Sequence, residues 1–205
     1  MTTIWLPEKF AQVFRDIWIE DVKSRYDRGV LNSERALQAC IVGGLVKKAP
    51  DLVVLVEPTL YPEAKAGREM IPDLWIGERD SGRALAVIEL KYVPFAYPEW
   101  KSDLEKLVKI LREPYHAWTI DPATGKDDGV RIAVCDEIGH ETLGLLAAVG
   151  KEDAEAVDAA VLSQALSDNK NLLPRFLHAW GRIPRDTGKW EFGVERLGVE
   201  PLATG

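Results

Sequence analysis

Between residues 8 and 27 the apolar positions Phe10, Val13, Phe14, Ile17, Trp18 and Val22 recur at helical spacing, with Pro7 just ahead and Gly29 just beyond. That pattern predicts an amphipathic helix. A second helix is expected over 33–47, where Glu34, Leu37, Ile41 and Leu45 share a stripe and Asn32 or Ser33 can cap the first free N–H groups. Pro50 stops it. Residues 52–55 are an apolar, β-branched run that predicts a buried strand continuing to 59. Residues 60–68, with Pro62, Ala64 and Gly67, read as loop.

Two further strand-like runs, 70–77 and 84–92, flank the turn segment Glu78-Arg79-Asp80-Ser81-Gly82-Arg83 and predict a β-hairpin. A helix carrying Leu104, Leu107, Val108 and Leu111 is expected over 99–112. Strands are expected at 115–120 and 130–135, Ala-rich helices at 140–149 and 151–167, a last helix at 171–180, and an edge strand at 189–196. The order predicts an α/β (mixed α+β) fold, one mixed sheet with an antiparallel hairpin, flanked by helices.

Composition bounds this picture without redirecting it. The chain has 205 residues, 46% apolar and 29% charged, which fits one globular domain and excludes general disorder. Strictly apolar runs are far shorter than a bilayer span, and the start lacks a basic-then-apolar signal pattern, so a cytoplasmic protein without membrane attachment is expected. Cys40 and Cys135 cannot make a disulfide framework or a zinc site by themselves and read as small buried hydrophobes. The formal charge of −7 argues against a whole-surface nucleic-acid binder only if the charge is evenly spread. It is not. Residues 136–168 hold eight acids (Asp136, Glu137, Glu141, Glu152, Asp153, Glu155, Asp158, Asp168) against one base, Lys151.

The hairpin carries the candidate chemistry. With Asp80-Ser81-Gly82 as a three-residue turn, Arg79 pairs with Arg83, Leu74 lies opposite Ile88, and Asp73 lies opposite Glu89. Opposed residues on one sheet face have β-carbons about 5 Å apart, and like charges there are destabilising. Lys91, two residues past Glu89, shares that face, while Leu74, Ile88 and Leu90 point into a core. A divalent cation between the carboxylates would turn the penalty into a gain. Few, hard oxygen ligands suit Mg²⁺. Lys91 could then hold or help deprotonate an attacking water, or stabilise charge on a phosphate.

Pro72-Asp73, fifteen intervening residues, then Glu89-Leu90-Lys91 resembles the PD-(D/E)XK nuclease superfamily, the restriction-endonuclease-like fold. The resemblance implies that Asp73 and Glu89 bind Mg²⁺ or Mn²⁺ and that Lys91 assists the hydrolytic water. It also implies a further Glu from a preceding helix near the metal, a place for Glu34 or, less favoured, Glu57. It covers roughly 33–135, with 1–32 as an N-terminal helical extension and 136–205 as a helical C-terminal part with an edge strand, in a single domain of 1–205. Some branches of the family carry a Gln and Tyr in the following helix, where this chain has Lys106 and Lys109. The expected function is metal-dependent phosphodiester hydrolysis, with DNA the favoured substrate. The alternatives are a non-catalytic binding or assembly module of the same fold, and an interaction protein whose acidic helices dock a basic partner.

Other features have plainer readings. Lys101, Lys106, Lys109 and Arg112 interleave with Asp103, Glu105 and Glu113, the pattern of a solvated, salt-bridged helix face. The segment 175–196 mixes Arg175, Arg182, Arg185 and Lys189 with Phe176, Trp180 and Trp190, which suits either nucleic-acid stacking or a subunit contact such as a homodimer. His116, His140 and His178 are isolated and lack ligand spacing.

Overall fold

The stripe that follows Pro7 is helical throughout. Helix α1 (Pro7–Asp16) runs through a π-helical turn (Ile17–Val22) into α2 (Lys23–Asp27). The proline takes the first helical position, where an N–H is not needed, and Gly29 turns the chain out with φ +69°. Helix α3 (Glu34–Lys48) is capped by Ser33, whose Oγ accepts the Ala36 N–H at 3.2 Å. The computed structural model from which these elements are read describes residues 5–62, 69–79, 83–93, 100–113, 115–117, 132–133, 142–150, 159–182 and 189–198.

In chain order there follow β1 (Leu52–Val56), β2 (Leu60–Pro62), β3 (Leu74–Glu78), β4 (Ala84–Val93), α4 (Lys101–Arg112), β5 (Tyr115–Ala117), β6 (Ile132–Ala133), β7 (Leu143–Gly150), α5 (Ala159–Ala165), a 3₁₀ segment (Ser167–Arg175), β8 (Phe176–Arg182) and β9 (Glu191–Arg196). Six strands make one mixed sheet in the order β1-β3-β4-β7-β8-β9. Its first three strands pair antiparallel, β4, β7 and β8 run parallel, and β9 returns antiparallel at the edge. A small second sheet, β2-β5-β6, stands beside it.

The two faces of the large sheet bury separate cores. On one side α1, the π-helical turn and α3 pack Phe10, Phe14, Ile17, Trp18, Leu37 and Ile41 against Leu74, Ile88, Leu90 and Leu145. On the other, α4, α5 and the 3₁₀ segment pack Leu104, Leu107, Leu162 and Leu172 against Trp75, Val87 and Leu146. The apolar stripe of residues 7–27 is one wall of the main core, and Trp18 Nε1 donates to the Trp180 carbonyl of β8 at 3.0 Å.

Several expectations are corrected here. Residues 143–150 form a central strand rather than a helix, and all eight are buried. A strand covered on both faces shows no alternation, so periodicity cannot tell it from a buried helix. The expected helix at 171–180 is a short 3₁₀ segment, interrupted by Pro174, that gives way to β8. The part after 136 thus supplies three strands of the main sheet instead of being mainly helical, and the helix expected over 151–167 is seen as α5 and the start of the 3₁₀ segment. Residues 60–62, expected as loop, pair with β5. The first strand stops at Val56, because Glu57 adopts φ 48° and turns the chain. The strand expected from 70 begins at Leu74, with Met70 making only an isolated bridge to Leu60. Ile132–Ala133 joins the second sheet, so β7 is the strand beside the hairpin. The acids of 136–168, apart from Asp168, and Cys135, His140 and Arg185 lie outside the described residues. The edge strand at the end is present as β9.

On the edge pair β8–β9, rings and glycines alternate. Trp180 is registered with Gly193 and Phe192 with Gly181. A β-carbon at Gly193 would lie 2.5 Å from the Trp180 ring, and one at Gly181 2.6 Å from Phe192.

Gly77 sits where the hairpin register shifts, next to a bulge. A β-carbon there would fall 2.2 Å from the Trp75 ring and 2.9 Å from the Arg83 carbonyl. Because the second neighbour is backbone, Gly77→Ala should destabilise the protein by about 1–3 kcal/mol. A urea-unfolding midpoint equal to that of the wild type would show that the hairpin tolerates the methyl group.

Candidate functional site

The hairpin has the register expected from its sequence around the candidate residues. Leu74 pairs with Ile88 and Trp75 with Val87, which sets Asp73, one residue before β3, across from Glu89. The pairing shifts between Ile76 and Gly77, so the turn end is bulged, with the Glu78 N–H donating to the Arg83 carbonyl. Residues 80–82 lie outside the described residues. Leu74, Ile88 and Leu90 face the first core as expected. Asp73, Glu89 and Lys91 therefore belong to the opposite face, under the start of α4.

Asp73 is tied down from three directions. Its Oδ2 accepts the Leu90 N–H at 2.6 Å. Its carbonyl accepts the Glu57 N–H at 3.0 Å and Gln38 Nε2 at 3.2 Å. Glu89 is 1% exposed. Lys106 Nζ donates to its Oε2 at 2.8 Å, while Oε1 is buried without a hydrogen-bond partner. Lys91 Nζ lies 3.1 Å from Asp103 Oδ2. Lys106 also donates to the Ile71 carbonyl at 3.2 Å and stands 4.0 Å from Asp103 Oδ1.

Burial dominates the electrostatics. It pushes the Glu89 carboxyl up to about 8, against the pull of the Lys106 ammonium and with the help of the Asp73 and Asp103 charges. Burial also raises Asp73, opposed by the Leu90 N–H and by Lys106 and Lys91. For Lys91, burial works against the charge, but the Asp103 hydrogen bond and the nearby Asp103, Glu34 and Asp73 charges outweigh it. Its ammonium is held above the ordinary range.

Glu34, in the first turn of α3, is near enough to feel this group. Its burial raises it, Lys91 lowers it, and the Asp73 charge raises it again. Even so, among the described residues no three His, Cys, Asp or Glu side chains converge as a metal-binding group. Glu57 is exposed, and it is its backbone N–H rather than its carboxylate that reaches Asp73.

Two members of the site were read from sequence as a solvated face. Asp103 and Lys106 lie three apart on α4, and Asp103 is only 5% exposed. The available signal was Asp103 amid the apolar stripe of Leu104, Leu107 and Leu111, one turn from a lysine. His178 is fully buried in β8, with Nδ1 3.1 Å from Glu195 Oε1; it lies in the same register row as Glu89, two strands away across Leu146. Cys40 is a buried free thiol, as expected.

The donor set suits a hard divalent cation. It consists of oxygens alone, and one of them, Glu89 Oε1, is buried without a hydrogen-bond partner. Two carboxylates suffice for an ion such as Mg²⁺ that keeps several waters. Among the described residues no helix is long and apolar enough to cross a membrane. No family model, curated protein or solved structure matches the chain.

Proposed function

We propose that this protein is a metal-dependent nuclease with a restriction-endonuclease-like core, acting on DNA. The observation that carries the reading is the hairpin edge itself. Asp73 and Glu89 sit across from one another, Lys91 shares their face, and Glu89 keeps a buried oxygen without a partner. The chain order supports it too. A helix, three antiparallel strands, a crossover helix and a strand parallel to the third follow the order that the PD-(D/E)XK resemblance implies, although the last strand is β7, beyond the 33–135 over which the resemblance was expected.

In this reading Asp73 and Glu89 hold Mg²⁺ or Mn²⁺. When bound, the ion supplies Lewis-acid activation of water and neutralises charge at a phosphodiester. The Leu90 N–H fixes the Asp73 carboxylate, so the backbone of the same strand that carries Glu89 sets the spacing of the pair. Lys91, kept cationic by its acidic surroundings, donates hydrogen bonds to the attacking water or to the phosphate. Glu34, on the rim, attracts the Lys91 ammonium and helps hold it at the edge of the site.

One observation favours a second reading. Lys91 and Lys106 already contact Asp103 and Glu89, so both ammonium groups are engaged by the protein's own side chains. A binding or assembly module of the same fold needs no more than that.

The test is cleavage of plasmid and single-stranded DNA with Mg²⁺ or Mn²⁺. Chelation should stop the reaction, and Asp73→Ala and Lys91→Ala should each slow it about a hundred- to a thousandfold. Equal activity in both variants would remove these residues from the mechanism. No cleavage by any form, together with no Mn²⁺ uptake in calorimetry, would leave the assembly module as the better account.

A further inference from the structure

Acids and ammonium groups alternate along the hairpin edge: Glu89, Lys106, Asp103, Lys91. The members are not equivalent. Glu89 is 1% exposed and the Lys106 side chain 26%, so Lys106 stands between Glu89 and solvent. It uses one oxygen of Glu89 and leaves the other, also buried, without a partner. The remaining Lys106 contacts are the Ile71 carbonyl, at 3.2 Å, and Asp103 Oδ1, at 4.0 Å. Asp103 is itself engaged by Lys91.

We propose that Lys106 is the resting hydrogen-bond partner of Glu89, and that a divalent cation takes its place at the carboxyl group, turning the Lys106 ammonium toward the substrate phosphate. The inference rests on the metal-site reading above and adds a residue that the motif does not contain. A divalent ion at Glu89 and an ammonium 2.8 Å from the same carboxylate repel each other strongly in a half-buried site. The lysine can yield at low cost, because its four-carbon stem is flexible and its head is already partly in water. It need not go far. The carbonyl of Ile71, an exposed residue, and the Asp103 carboxylate still offer it acceptors. Lys91 does not share this role, since its partner is Asp103 and not a carboxylate of the metal pair.

The exchange makes a prediction that a bracing role does not. If Lys106 competes with the ion, Lys106→Met, which keeps the apolar stem, should bind Mn²⁺ about tenfold or more tightly than the wild type. Lys106→Gln should behave in the same way, and Lys106→Arg should resemble the wild type. If Lys106 only braces α4 against β4, removing it loosens the site and Mn²⁺ affinity falls. The measurement is calorimetric titration of Mn²⁺ into the metal-free full chain, with thermal melts to confirm that each variant is folded. Tighter binding in the Met and Gln variants supports the exchange, most strongly if the wild type takes up no Mn²⁺ and the variants do. Asp73-dependent binding by the wild type, with unchanged or weaker binding in both variants, overturns the exchange and leaves the metal site standing. No binding by any form overturns both.

Discussion

Glu89→Gln is expected to make the metal-free protein more stable at pH 8 to 9 while removing metal-dependent cleavage. Burial raises the Glu89 carboxyl from 4.5 to about 8. Between those values the folded protein keeps the proton and the unfolded chain releases it. Stability from this group is therefore fully present below about pH 4.5 and is lost as pH rises through about 8. Gln has no charge to bury, so its curve should stay flat over that window. A tenfold change in proton affinity is worth about 1.4 kcal/mol, which makes the gain at the alkaline end on the order of a few kcal/mol. Near pH 5 the two proteins should melt together. Mn²⁺ should raise the melting temperature of the wild type but not of the variant, because only a ligand that prefers the folded state stabilises it. Parallel stability curves for the two proteins from pH 5 to 9 would show that Glu89 is not held neutral by the fold.

Trp18→Ala is the substitution expected to cost most in stability. Trp18 is fully buried, its ring stacks on Phe14 at 6.1 Å between centroids, and it tilts against Phe192 at 6.0 Å. Its Nε1 donates to the Trp180 carbonyl. Truncation opens a cavity and strands that carbonyl, a loss of about 3–5 kcal/mol. Chemical denaturation should show it as a large drop in midpoint. Trp18→Phe should lose less, since it keeps the ring contacts. A small effect for Trp18→Ala would mean that this helical segment adds little to the stability of the main core.

The parts of the molecule legible in the sequence are those whose pattern survives burial on one side only. The helix stripe Phe10, Phe14, Ile17, Trp18 reads correctly because its other face is polar. The hairpin reads correctly around the site because Leu74, Ile88 and Leu90 alternate with Asp73, Glu89 and Lys91; nearer the turn the register shifts between Ile76 and Gly77, and Glu78 rather than Arg79 bonds to Arg83. The central strand β7 does not read, because Leu143 to Gly150 is apolar on both faces and Ala-rich. Strand β8 was hidden by the helix-like spacing of Leu172, Phe176 and Trp180. At the site, the motif was visible but its counter-charges were not. Asp103 and Lys106 sit among Lys101, Glu105 and Lys109, and in one dimension a charge that meets Glu89 looks like one that meets water. Only the return of α4 over β4 separates them.

The ring-on-glycine pairs at the end of the sheet bear on how its last strand keeps its register. An edge strand with free N–H and C=O groups can slide or recruit a second chain. Here Trp180 lies over Gly193 on one face and Phe192 over Gly181 on the other. A two-residue slip of β9 would lose both contacts at once and set each ring against a residue that has a side chain. Sliding is thereby penalised on both faces together, so β9 is held to one alignment on β8.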